Sequence, residues 1–137
     1  MEGVQPISKD PLQGYKRWFY AATAYNFLWG LIAILAPYKI FLLLGIPPFQ
    51  PMEAFQCIGM IVGVYAYGYY LLARDPVRYS GLIWVGLAGK TFGPIGFVFA
   101  ALQGHLPWSF GFNLLFNDLI WWPVFWSFAL RYARKPL

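Results

Sequence analysis

The run WFYAATAYNFLWGLIAILAPY, Trp18 to Tyr38, contains no charged residue. A helix rises ~1.5 Å per residue, so about 20 such residues cross a hydrocarbon core of ~30 Å. A transmembrane helix over about 17–37 follows, with Asp10-Pro11 as its start signal and Pro37 as its stop. Working outward, Ala54–Ala73 is a second such run, a helix over about 53–73. Arg74-Asp75-Pro76-Val77-Arg78 ends it, and Asp75 and Pro76 read as the N-cap and first position of a third helix over about 78–102. Gln103–Pro107 is a turn, and a fourth helix covers about 108–131 before Arg131, Arg134 and Lys135. Between the first two spans, residues 38–45 are too short to cross a bilayer. They read as an interfacial helix ended by Gly45. The expected fold is all-α: one membrane domain over 1–137, a four-helix transmembrane bundle with a short interfacial helix.

Composition agrees. The 137 residues are 60% hydrophobic, 22% aromatic and 11% charged, whereas soluble domains average about 25% charged. A single cysteine, Cys57, and a single histidine, His105, exclude an internal disulfide, a Cys-based metal site and bis-histidine haem. No metal ligand and no catalytic residue is expected, and no cofactor beyond a bound lipid or quinone. Gly86–Thr91 (GLAGKT) lacks the spacing of a phosphate loop. The first apolar run is too long for a cleaved signal peptide. The net charge of +5 has a topological reading. Lys9, Lys16, Arg17, Arg74, Arg78, Arg131, Arg134 and Lys135 fall on one side of a four-span bundle, and Lys39 on the other. The positive-inside rule puts both termini in the cytoplasm, and nucleic acid is not needed to explain the charge.

Small residues Gly59, Gly63, Gly89 and Gly93 have the spacing that lets helices approach closely. Pro94 should loosen the third span and free a carbonyl near Lys90. Asn26, Gln56, Tyr67, Asn113 and Asn117 would turn inward, because lipid offers no hydrogen-bond partner. They line a pocket for an amphipathic molecule or serve as interhelical glue. Lys90 lies 12 residues before Leu102, and Asp118 lies 10 after Trp108. In antiparallel helices their depths then differ by roughly 3 Å, so an intramembrane ion pair is expected. Glu53 at a helix start, His105 in a turn and Cys57 read as structural or solvated residues.

The segments Tyr25–Gly30, Phe55–Met60, Val85–Lys90 with Gly93–Phe97, and Asn117–Trp122 resemble small bacterial four-helix membrane proteins, similar in overall shape to the DoxX-like group. The resemblance implies a four-helix inner-membrane protein. That group is linked to quinone redox chemistry, but no motif here carries an activity over.

Several functions stay open. One is a non-catalytic subunit of a larger respiratory or photosynthetic type of complex, since no redox ligand set is present and little mass lies outside the membrane. Another is a stand-alone binder or carrier of a lipid, a quinone or another hydrophobic molecule. A dimeric proton-coupled transporter would use Lys90 and Asp118. An enzyme ranks last, since no nucleophile stands beside them in sequence. The expected partners are lipids, other membrane subunits or a second copy.

Overall fold

The computed structural model describes residues 10–134; Lys9 and Lys135, which entered the charge argument, lie outside the described residues. The described chain is helical and contains no strand. Its helices are α1 (Gln13–Leu35), α2 (Pro37–Leu44), α3 (Met52–Arg74), α4 (Leu82–Leu102), α5 (Gly111–Asn117) and α6 (Trp122–Tyr132). Of these, α1, α3 and α4 are long and apolar enough to cross a membrane, as in a multi-pass membrane protein.

The ends of the elements follow local chemistry. Asp10 Oδ1 accepts the Leu12 N–H at 2.9 Å, and this turn leads into α1 ahead of Lys16 and Arg17. Pro37 opens α2 where a missing N–H costs nothing. Gly45 ends α2 in the left-handed region, φ 65°. There the Gly45 N–H bonds Leu42 O and the Ile46 N–H bonds Phe41 O, closing the last turn.

Two boundaries differ from expectation. Asp75 Oδ1 does accept the Arg78 N–H at 3.1 Å, but it caps a turn over 76–81 that includes Ser80 and Gly81, poor helix formers, and α4 begins at Leu82 rather than at about 78. The larger correction concerns 108–131, which is not one helix. A 3₁₀ turn (Trp108–Phe110) leads into α5, the chain breaks at Asp118 (φ −124°, ψ −59°), and a second 3₁₀ turn (Leu119–Trp121) leads into α6. Pro123, in the first turn of α6, has no N–H to return to the preceding turn.

The most extensive helix contact joins α1 and α3, which run antiparallel. A Cβ at Gly30 would lie 2.7 Å from Gly59 O and 3.0 Å from Gly63 N, and one at Gly59 would lie 2.6 Å from the Ala33 Cβ. Only hydrogen fits there. Two apolar cores stack along the bundle. One gathers Phe19, Leu72, Ile83, Phe125 and Phe128 toward the end carrying the 76–81 turn. The other gathers Ala33, Ile40, Phe41 and Phe55 under α2. The outward faces stay apolar, with Leu42, Leu43, Val64, Phe92, Phe99 and Leu102 all exposed.

Candidate functional site

The buried polar and charged residues, Asn26, Lys90 and Asp118, come from the middle of α1, the middle of α4 and the break after α5. Helix defects bring them together. Pro94 cannot donate to the carbonyl four residues back, which is Lys90 O, and the Trp122 indole N–H takes that place at 3.2 Å. The break at Asp118 leaves the last carbonyls of α5 without helical partners. The Trp121 indole N–H donates to Phe116 O at 2.9 Å, and Lys90 Nζ donates to Asn117 O at 2.6 Å. An ammonium at a helix C-terminus also meets the negative end of the helix dipole.

Lys90 Nζ lies 4.0 Å from Asp118 Oδ1, and both side chains are buried. The ammonium also sits 5.5 Å from the Tyr69 ring centre, 5.7 Å from Phe125 and 5.8 Å from Trp121. These faces form an aromatic cage with the electrostatics that favour a cation. Tyr69 fits because Gly86 lacks a side chain, since a Cβ there would lie 2.8 Å from the Tyr69 ring. The sequence reading missed the cage. Its signal was the one-turn spacing of Trp121 and Phe125, but the third ring comes from α3, which that spacing cannot reveal.

Acceptors outnumber donors around the cage. Asn117 Nδ2 donates to Asp118 Oδ1 at 3.3 Å, and Asn26 Nδ2 points to Val62 O at 3.4 Å. Asn26 Oδ1 and Asn117 Oδ1 are buried without a donor. A buried unpaired acceptor costs about 1–3 kcal/mol.

Of two openings in the molecule, one reaches this region. An inlet of about 250 Å³ between α3 and α4 is lined by Ile58, Ile61, Val62, Tyr65, Gly89 and Gly93, with Asn26, Lys90, Asn117 and Asp118 at its inner end. A larger groove of about 880 Å³ runs between α1, α2 and α5 from Lys39 to Tyr25. Its walls are Ile32, Ile40, Leu43, Leu44, Phe112 and Phe116, and its polar groups include Trp29, Ser109 and Asn113. The Trp29 indole donates to Asn113 Oδ1 at 3.0 Å, which fixes the amide with Nδ2 free to turn to the groove.

The remaining expected site residues fall elsewhere. Gln56 Nε2 donates to Ile34 O at 2.8 Å, joining α3 to α1 rather than lining a pocket. Tyr67 is 65% exposed and lines neither opening. Met60 and Tyr67 face outward because α3 turns its Phe55, Gly59, Ala66 and Tyr69 face to the bundle. Gly59 and Gly63 lie on the α1 contact, whereas Gly89 and Gly93 meet no helix backbone. A Cβ at Gly89 would lie 3.4 Å from the Tyr65 ring and one at Gly93 3.5 Å from Asp118 Oδ2, and these two glycines form a wall of the inlet. Among the described residues no three His, Cys, Asp or Glu side chains converge as metal ligands.

No family model, curated protein or solved structure matches this chain.

Proposed function

We propose that the chain is a four-span, non-catalytic membrane protein of the bacterial inner membrane, with both termini cytoplasmic, that binds an acyl lipid with an anionic headgroup in the groove between α1, α2 and α5. The broken segment 108–132 acts as the fourth span, and its irregular backbone is tolerable at membrane depth because Lys90 and the Trp121 indole satisfy its carbonyls at Asn117 and Phe116. The observation that carries the binding reading is the groove itself. From Tyr25 to Ala36 it follows α1 for about 16 Å, the depth of one hydrocarbon leaflet. Apolar side chains suit an acyl chain there. Lys39, at the α2 end, supplies positive charge at headgroup level, and Asn113 Nδ2 supplies a donor. This reading agrees with the DoxX-like resemblance in architecture and takes no reaction from it.

Native mass spectrometry from mild detergent tests it. The chain should retain phosphatidylglycerol over phosphatidylcholine, and Lys39→Gln should reduce that preference about tenfold, the size of one charge-assisted contact. Equal retention of both lipids would sink the reading.

A second reading, a subunit of a larger membrane complex, is favoured by one feature. Gly96 opens to empty space on the exposed α4 face between Phe92 and Phe99, a notch on which another helix can seat. Migration as a lone small species in blue-native electrophoresis would count against it.

A further inference from the structure

The inlet between α3 and α4 has chemistry unlike that of the groove. Its inner end is balanced in charge, one ammonium against one carboxylate, so neither a cation nor an anion is favoured. It is short of donors. Asn26 is 3% exposed and its Oδ1 has no partner, and neither has Asn117 Oδ1. Rotating the Asn26 amide does not help, because it would set oxygen against Val62 O in place of the present N–H. A group that completes this cluster is neutral and donates a hydrogen bond.

The approach to the cluster is apolar. Ile58, Ile61 and Val62 form one wall, and the bare backbone of Gly89 and Gly93 forms the other. Both glycines are exposed, so the lane opens onto the outer surface of the bundle. A Cβ at Gly93 would lie 3.5 Å from Asp118 Oδ2, so the lane leads to the carboxylate. The volume of about 250 Å³ exceeds the roughly 150 Å³ of a cavity that holds benzene. A hydroxyl with a short stretch of chain fits, and the rest of the molecule can lie along the apolar face.

We propose that this inlet is a binding site for the hydroxyl end of an apolar alcohol drawn from the bilayer. The O–H reaches Asn26 Oδ1 or Asn117 Oδ1, and the chain lies between α3 and the glycine wall. The proposal shares the membrane-spanning reading with the proposed function but does not depend on the groove or on Lys39.

The full chain in phosphatidylcholine vesicles tests it, with a diazirine-bearing octan-1-ol as photoprobe. Labelling is expected at Ile58, Ile61 and Val62. Octan-1-ol should displace the probe about tenfold better than its isomer 1-methoxyheptane, which accepts a hydrogen bond but cannot donate one, at equal bilayer concentration. Asn26→Leu should bring that ratio close to one. Gly89→Leu should block the lane and abolish labelling, and its Cβ meets only the Tyr65 ring, at an ordinary 3.4 Å. It therefore serves even where Asn26→Leu does not fold. Equal displacement by alcohol and ether on the native chain, as when water keeps the acceptors, overturns the proposal. So does unchanged labelling in Gly89→Leu. Equal retention of phosphatidylglycerol and phosphatidylcholine by the native chain with inlet labelling intact would count against the groove alone.

Discussion

Lys90 serves three roles. Its ammonium caps α5 through Asn117 O, faces Asp118, and sits among three rings. Lys90→Met should keep much of the packing but strand Asp118 and uncap α5, a loss of about 3–5 kcal/mol. Lys90→Met with Asp118→Leu should be milder than Lys90→Met alone, because no charge is left unpaired. Denaturant unfolding in detergent reads both, and a harmless single change would refute the coupling. The proximity of this pair was legible in sequence, because two residues at matched distances from one turn must lie at similar depth. The cage was not, because its Tyr69 depends on the rotation of α3. Gly86→Ala tests the cage directly. Its Cβ would push the Tyr69 ring away, at about 1–3 kcal/mol. At the N-terminal end, the Leu12 N–H and then Lys16 hold the Asp10 carboxyl below its ordinary range. A lowered folded value gives a contribution that is complete above the ordinary carboxylate value and is lost as pH falls through the lowered one. The Leu12 amide should therefore lose exchange protection in acid, below about pH 4 and not above it. Protection that stays constant down to pH 2 would contradict this.

At the level of elements, the glycines divide into two groups that sequence spacing could not separate. Gly30 and Gly59 have no room for a methyl, whereas Gly63 points its own Cβ direction into open space. Gly30→Ala should force α1 and α3 apart and destabilise by about 1–3 kcal/mol. Gly63→Ala should be nearly neutral. Equal effects of the two changes on thermal unfolding would disprove this packing. The three long helices were legible because length and scarcity of charge, with Lys90 alone inside α4, suffice for a long apolar helix. The broken fourth segment was not, although its signals were present in Asn117-Asp118 and Pro123. An apolar run reads alike whether or not its backbone is continuous, and here the break is sustained by partners on α4, out of reach of local sequence. The polar stripe of α3 was misread for a related reason. Gln56 and Tyr67 are polar, but one finds Ile34 O at the helix contact and the other faces outward, so polarity alone did not set the face.

For the whole molecule, the question is whether the broken segment completes a fourth crossing. α5 and α6 with their 3₁₀ turns cover 108–132, about as many residues as α1 or α3. They also contact α4 over both of its halves, α5 on one side of the break and α6 on the other. As a fourth span, a segment of that reach would return the chain to the side from which α4 set out, and Arg131 and Arg134 would then join Arg74 and Arg78 on one side. A three-span arrangement would instead leave α6, with its buried Phe125 and Phe128, on the side opposite the 76–81 turn, although these two rings share a core with Ile83 and Leu72 beside that turn. The proposed fourth crossing thus agrees with the core as well as with charge. Cysteines introduced at Val77, at His105 and at Arg134 in a Cys57→Ser background should report it, since all three positions are exposed. In sealed inner-membrane vesicles of known orientation, an impermeant maleimide should label positions 77 and 134 from the cytoplasmic face and position 105 from the opposite face. Labelling of 134 together with 105 would reduce the bundle to three spans and remove the basis for placing both ends in the cytoplasm.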